Sequence, residues 1–294
     1  MINFLLEPLS FEFMRHAIVT AIMLGILCAV VGTYLIVQRM SLLGDVIAHA
    51  VLPGLAIAFF FGLDIFVGAF VSGIISTLVI AWIDSQSRVK VDVAMALVFS
   101  GFLALGIMLI TLLKSKLDLH SFLFGDILEV TAADVGRTFT ITICVLIFVQ
   151  LFYKELLFYT FDPLAAQAMG LPVNLIHIGL ISAITLTIIA SMQAVGVVLV
   201  VSLLIGPGIT AYLLVKELHQ MMGLGAVIGI ISSVTGMYIS YYLNVPSGAA
   251  IVLVVSLLFI LTLLFSPDQG ILTRPEVADR SVRIVRLLNK LKIK

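Results

Sequence analysis

An acidic side chain and a histidine lie four residues apart near the start of a long apolar stretch. Asp45 and His49 occur in the run GDVIAHAVLPG, residues 44–54. In an α-helix, side chains at this spacing share one face. A carboxylate oxygen and an imidazole nitrogen placed in this way can hold one divalent cation from one side. The spacing therefore predicts a metal-binding pair. The alternative is that Asp45 is a helix N-cap and His49 a hydrogen-bonded structural residue.

Two helix interruptions are predicted in the apolar part of the chain. Pro53 closely follows the acid–histidine pair, and Gly206 and Pro207 occur inside a later apolar run. Proline lacks a backbone N–H and kinks or breaks a helix. In a bilayer, broken backbone is tolerated only beside protein or a water-filled cavity, and paired broken helices point to a substrate path. A packing kink is the alternative, since proline and glycine are frequent in membrane helices.

The composition places these residues in a membrane protein. The chain has 294 residues, of which 62% are hydrophobic and 11% charged, with a mean hydropathy of +1.26. Soluble domains carry about 25% charged residues. The formal net charge is zero, so no overall field favours nucleic acid. Cys28 and Cys144 lie in apolar runs and are expected to be small buried hydrophobic residues rather than a disulfide or metal site.

The hydropathy pattern predicts an all-α, polytopic membrane bundle. A crossing helix needs about 20 apolar residues. Nine stretches come near this length. They cover residues 17–37, 43–63, 65–83, 93–113, 138–153, 175–192, 195–215, 221–243 and 249–266. The fifth is short and is expected to extend back through Ala132 and Ala133, and the sixth and seventh meet at Gln193-Ala194 in a tight turn or a broken helix.

The distribution of basic residues predicts the orientation. With nine crossings and an extracytoplasmic N-terminus, the cytoplasmic segments carry twelve Lys and Arg residues and the outer segments four. Basic residues favour the cytoplasmic side. We therefore expect residues 1–16 to be an extracytoplasmic or interfacial segment, residues 17–266 the transmembrane domain and residues 267–294 a basic cytoplasmic tail. The acidic start of the chain is not typical of a cleavable signal peptide.

A short helix is predicted in the cytoplasmic loop after the fifth span. Asp162 followed by Pro163 is typical of a helix start, an N-cap with proline in the first helical position. Small residues, among them Ala166, continue the helix, and Gly170 ends it. The helix at about 162–170 would project between two spans, where small side chains let another surface approach closely. A plain surface helix is the alternative.

The longest outer connection, residues 114–137, holds further candidate metal ligands. These are Asp118, His120, Asp126 and Glu129. Its half-apolar middle is expected to form a short interfacial or re-entrant helix. A solvated loop with caps is the alternative for each residue taken singly, and Asp126 and Glu129 could also face a docking partner.

Two motifs are absent from the sequence. It contains no G-x-x-x-x-G-K-[ST], so it lacks a P-loop for nucleotide, and no HExxH, so a zinc protease of that type is unsupported. The chain is therefore expected to be a transport subunit rather than an enzyme, with any ATP hydrolysis carried by a separate chain.

Three segments resemble the permease subunits of bacterial manganese, zinc and iron ABC importers. They are QRMSLLGDVIAHAVLPGLA (38–56), FDPLAAQAMGLP (161–172) and GVVLVVSLLIGPGITAYLL (196–214). The last differs from relatives, which often read P-A-A-T-A where this chain has GPGITA. The manganese branch fits best. The resemblance implies a type II-like permease fold in the bacterial inner membrane.

The resemblance also implies partners and roles. It implies a second copy of the chain, two cytoplasmic ABC ATPases and an extracytoplasmic metal-binding protein. Asp45 and His49 match the acid and histidine of the pathway, and residues 162–170 match the coupling helix that enters a groove on the ATPase. No cofactor is expected to stay bound. The transported ion would be Mn²⁺, with Zn²⁺ or Fe²⁺ as alternatives, since oxygen and nitrogen ligands without thiolate suit all three.

A competing hypothesis is an ion-coupled secondary metal transporter or channel. It would use the same helix interruptions but need neither a coupling helix nor an ATPase.

Overall fold

The chain folds into α-helices joined mostly by short turns. The computed structural model describes residues 7–113, 125, 127–266 and 270–272, and this part of the chain contains no β-strand. Two 3₁₀ turns, Pro8–Ser10 and Ile127–Glu129, complete the regular structure. The all-α prediction is confirmed.

Twelve α-helices follow one another in the described part of the chain. They are α1 Glu12–Val37, α2 Leu43–Ala50, α3 Leu52–Phe61, α4 Ile65–Gln86, α5 Val91–Leu112, α6 Ala132–Leu151, α7 Tyr153–Phe161, α8 Pro163–Ala168, α9 Val173–Val195, α10 Val197–Tyr212, α11 Leu218–Leu243 and α12 Ser247–Phe265.

Each predicted span corresponds to a helix or helix pair. Eight spans are long and apolar enough to cross a membrane, with α2 and α3 together forming one of them. The remaining predicted span is α10, which has only 16 residues. The first helix starts at Glu12, five residues before the predicted start of the membrane domain, so the end of the predicted N-terminal segment belongs to α1.

Local capping explains several of the helix starts. The Asp64 carboxylate accepts a hydrogen bond from the Phe66 N–H and starts α4 directly after Gly62, which has φ of 65°. Thr131 and Asp134 form a reciprocal capping box at the start of α6. The predicted extension of the fifth span through Ala132 is confirmed, and only residues 62–64 separate α3 from α4.

Helix α1 is the centre of the bundle and contacts α6, α9, α10 and α11. Gly25 of α1 packs on Gly229 of α11, and a Cβ atom at either position would overlap the backbone of the other. A Cβ at Gly32 would overlap the carbonyl of Leu204 in α10. Small residues therefore let three helix backbones approach closely, as membrane helix interfaces require.

The sixth and seventh predicted spans are separated at Gly196, whereas the sequence predicted that they meet at Gln193-Ala194. Gly196 has φ of 78° and ψ of 162°, a conformation open essentially to glycine alone. Gly32 lies against Leu204, and one turn further along both helices Ile36 lies against Gly208, so α10 runs parallel to α1. The chain therefore reverses direction at Gly196.

The ends of the helices can be assigned to two sides of the membrane by alternating the crossings. If α10 crosses in spite of its length, six crossings separate the α3–α4 turn from the α11–α12 turn, and both lie on the same side. If α10 does not cross, the two turns lie on opposite sides. The α7–α9 connection lies opposite the α3–α4 turn in either case.

We predict that single cysteines at Leu63 and Val245 react with a membrane-impermeant maleimide on intact cells, whereas one at Gln167 does not. All three positions are exposed at helix ends. The parent should carry Cys28→Ala and Cys144→Ala, and all sites should react after the cells are permeabilised. Labelling of Leu63→Cys without Val245→Cys on intact cells would show that α10 does not cross.

Candidate functional site

The acid–histidine pair lies in the short helix α2. This helix begins at Leu43, its N-cap is Leu42, and no side chain caps its first turn. Asp45 is the third residue of the helix, so the alternative interpretation of Asp45 as the N-cap is wrong. A carboxylate in the first turn is still favoured by the helix dipole.

The two side chains contact each other along one face of α2. His49 Nδ1 lies 3.5 Å from Asp45 Oδ1 and 3.0 Å from the Asp45 backbone oxygen. Because a ring nitrogen next to a carbonyl oxygen must carry the proton, this geometry favours the tautomer protonated on Nδ1. The other nitrogen, Nε2, then has its lone pair available for a metal ion. The predicted shared face is confirmed.

The pair lies in the first half of the apolar span Leu43–Phe61, on the side of the α4–α5 turn. The His49 ring meets the edge of Phe99 in α5, with 5.0 Å between ring centroids. Phe99 is eight residues from the start of α5, which corresponds to about 12 Å along that helix. The His49 side chain is 18% exposed and the Asp45 side chain 44% exposed. Both therefore reach a surface that the described part of this chain leaves open.

One chain supplies only part of a metal centre. The described residues contain no group of three or more His, Cys, Asp and Glu side chains that could hold a metal ion. Divalent transition metals take four or more ligands. Further ligands for an ion at Asp45 and His49 would have to be backbone oxygens, water or groups from another chain.

The predicted interruption after the pair is present but mild. Helix α2 ends at Ala50, and Val51 keeps right-handed helical angles before α3 begins with Pro53 in its first turn. Proline cannot donate to the carbonyl four residues earlier, which is that of His49. The Ser72 hydroxyl of α4 donates to the Ala50 carbonyl over 2.7 Å. A side chain from the neighbouring helix thus satisfies a backbone oxygen at the interruption.

Sequence reasoning missed Ser72. It is buried in α4, where Gly68 and Ser76 lie one turn away on either side. A Cβ at Gly54 would overlap the Gly68 carbonyl, so α3 and α4 approach closely here. A small polar residue on the same face as glycine in an apolar helix was the available signal.

An apolar cavity of about 410 Å³ adjoins the interruption. Pro53, Gly54 and Phe102 contribute to its lining, and Ser72 is its only side chain with a polar atom. Since that hydroxyl already donates to Ala50, this cavity offers no second set of metal ligands.

The second predicted interruption, at Gly206 and Pro207, is wrong. Helix α10 continues from Val197 to Tyr212 with Pro207 inside it. The flanking glycines serve packing: a Cβ at Gly206 would overlap Val255 of α12, and one at Gly208 would come close to Ile36 of α1. The segment stays helical despite the missing N–H of Pro207, with close neighbours on both sides.

The short helix predicted at about 162–170 is confirmed as α8, Pro163–Ala168. The Asp162 side chain accepts a hydrogen bond from Ala165 N over 2.9 Å, Pro163 is its first residue, and Gly170 follows it with φ of 84°. Ala166 is fully buried, so this small residue brings α8 close to its own chain. The surface open to another protein is formed instead by Leu164 and Met169, which are 78% and 65% exposed.

Among the outer candidate ligands, the structure describes Glu129, and it forms no ligand cluster with Asp45 and His49. Glu129 ends the turn Ile127–Glu129 and is exposed. The other three candidates, Asp118, His120 and Asp126, lie outside the described residues, as do all the basic residues of the predicted tail.

Comparison with known proteins identifies relatives over nearly the whole chain. The model of the ABC 3 transport family matches residues 10–266. The manganese transport system membrane protein MntC of Halalkalibacterium halodurans is 46% identical over 269 residues, covering 91% of this chain and 92% of the relative. The chelated iron transport system membrane protein YfeD of Yersinia pestis is 38% identical, covering 91% and 90%.

A solved structure shares the architecture. A chain of PsaBC from Streptococcus pneumoniae, determined in complex with Fab, superposes with a TM-score of 0.83 at 42% identity. The match covers 92% of this chain and 98% of that one.

We predict that Ser72→Ala lowers the thermal stability of the detergent-solubilised protein by about 1–3 kcal/mol, because the Ala50 carbonyl loses its side-chain partner. Ser76→Ala is the matched control. Ser76 is equally buried in α4 but donates to Gly73 of its own helix. Equal shifts in the two unfolding midpoints would contradict a special role for Ser72.

Proposed function

Because this chain belongs to the ABC 3 transport family, we propose that it forms the membrane pathway of an ATP-driven importer of a divalent transition metal ion. It is a multi-pass protein of the bacterial inner membrane. The observation that carries the proposal is the contact between Asp45 and His49 within a membrane-spanning helix. An ionisable pair at this depth is costly and is the default candidate for an ion pathway.

Manganese is the proposed cargo. The relative MntC is named for manganese transport and YfeD for chelated iron transport, so the family name alone leaves the metal open. A carboxylate oxygen with an imidazole nitrogen suits Mn²⁺, Fe²⁺ and Zn²⁺, and Zn²⁺ binds most sites of this kind more tightly. A transport site must also release its ion, which favours a weak site and selection by another component.

A second copy of the chain is the proposed source of the missing ligands. Two side chains from one chain leave an ion under-coordinated, and Asp45 is only partly covered. Two copies related by a two-fold axis would bring two carboxylates and two imidazoles together. Four such ligands, with water, would make a site of modest affinity.

Two ATPases and a metal-binding protein are the proposed partners. The sequence contains no P-loop, so the energy source must be another chain. Helix α8 supports the ATPase assignment because it projects Leu164 and Met169 away from the bundle. The family match favours this arrangement over an ion-coupled secondary transporter or a channel.

We predict that Asp45→Asn and His49→Ala each reduce Mn²⁺ uptake by about tenfold or more, because each leaves its partner poorly paired in a low-dielectric site. Uptake is measured in proteoliposomes holding the complete transporter, at equal amounts of permease.

The matched control is Asp92→Asn. Asp92 is also an acidic residue in the first turn of a spanning helix, at the start of α5. Its substitution should leave uptake unchanged. Parental uptake by Asp45→Asn would refute the ligand role of Asp45.

We predict that Leu164→Asp prevents the ATPase from co-purifying with the permease, because a charge would be placed on the apolar exposed face of α8. Val89→Asp is the control, since Val89 is an exposed apolar residue in the α4–α5 turn on the same side of the membrane. Retention of the ATPase by Leu164→Asp would mean that α8 is not the docking helix.

A further inference from the structure

A hydrogen bond between two side chains joins the end of α1 to the last turn of α7. Gln38 Nε2 donates to Thr160 Oγ1 over 3.3 Å, and the two residues are 122 positions apart in the sequence. Thr160 is nearly buried. It lies two residues before Asp162, the cap of α8, while Gln38 lies seven residues before Asp45. The bond therefore links the segment that leads into α8 with the segment that leads into the metal pair.

The helices around α8 are tied into one unit. The Tyr159 hydroxyl bonds to Nδ1 of His177, which joins α7 to α9 on either side of α8. Burial raises the pKa of Tyr159, so its phenol stays protonated and the bond joins two neutral groups or an imidazolium and a phenol rather than a phenolate. Ala166 is buried, and its carbonyl accepts from Leu171 N over 3.1 Å. A displacement of α8 should therefore carry the last turn of α7 with it.

The connection from Gln38 to α2 is short and is held by several backbone hydrogen bonds. Met40 N donates to Leu35 O over 2.8 Å and Arg39 N to Ile36 O over 3.0 Å, which is the Schellman pattern for the end of a helix. Leu43 N then donates to Met40 O over 2.9 Å and begins α2. Only residues 38–42 separate the two helices, so little of a displacement can be absorbed between them.

We propose that Gln38 is a positioning residue that links α8 to the Asp45–His49 pair through its hydrogen bond to Thr160. The inference rests on the proposed function, because an ATPase docked on α8 would be the source of the movement. Closing of the ATPases would shift α7, Thr160 would draw the end of α1, and the stiff turn would re-orient α2. The bond does not touch the ion. It determines how strongly the ATPase cycle changes the geometry of the site.

A purely structural bond would behave differently. Its loss would lower stability, and transport would fall only as far as the amount of folded complex falls. A linking bond affects the ratio of ions moved to ATP hydrolysed, which does not depend on how much complex is present. The two members of a linking bond should also act as a unit, so that removing both has the effect of removing one.

The test compares Thr160→Val, Gln38→Leu and their combination in proteoliposomes containing the ATPase and the metal-binding protein. Valine keeps the shape of threonine without the hydroxyl. We expect Mn²⁺ moved per ATP to fall about fivefold in each single variant, the factor expected from one lost hydrogen bond. The double variant should fall by the same factor, and the ATPase should still co-purify in all three.

Two further variants sharpen the comparison. Thr160→Ser keeps a hydroxyl and should restore the parental ratio. Thr187→Val removes another buried threonine hydroxyl, one that donates to Ala183 within its own helix α9. It should leave the ratio unchanged even if the unfolding midpoint falls.

Parental ratios in Thr160→Val and Gln38→Leu would overturn the inference, as would additive losses in the double variant or an equal loss in Thr187→Val. These outcomes differ from failure of the proposed function. A parent complex that takes up no Mn²⁺ overturns the proposed function and this inference with it, whereas a transporting parent matched by its variants overturns the inference alone.

Discussion

Close contact between backbones around α1 is the constraint on which the rest of the structure depends. Lipid chains are as apolar as leucine, so membrane helices gain little from hydrophobic burial against each other and rely on tight packing. Gly25 against Gly229, and Gly32 against Leu204, place α1 within reach of both α11 and α10. Only five residues, 38–42, connect α1 to α2. The packing of α1 therefore determines where α2 and its acid–histidine pair lie.

The site shows how a bilayer protein accommodates polar groups at modest cost. The His49 ring bonds to the backbone of the residue one turn earlier and packs in a T-shaped contact with Phe99, and the carboxylate of Asp45 is partly exposed. The carbonyl of Ala50 receives a hydroxyl from α4. These are local solutions within one chain. They hold the pair in place but leave an ion short of ligands, which is why the proposed pathway requires a second copy.

The features that could be predicted from the sequence are those with a local cause. Helix periodicity and length identified the spans, and Asp162-Pro163 with Gly170 identified α8 from its caps. The spacing of Asp45 and His49 identified their shared face. Features set by neighbouring helices could not be found this way. Pro207 interrupts nothing because α1 and α12 enclose it, Ala166 faces inward because α7 and α9 surround it, and Ser72 matters because of a carbonyl on another helix.

Gly196 and Arg39 both have positive φ, but they differ in how they can change during evolution. Every amino-acid substitution of glycine adds a Cβ atom, and the backbone angles at Gly196 disfavour one, so substitutions at this position strain the backbone. Arg39 has φ of 59° with a full side chain, which costs about 1–2 kcal/mol. Each arginine codon is one nucleotide away from a glycine codon, so a single mutation at the α1–α2 turn can relieve the backbone strain at this position. A lineage that accepts this substitution gains stability and loses the positive charge of the α1–α2 turn.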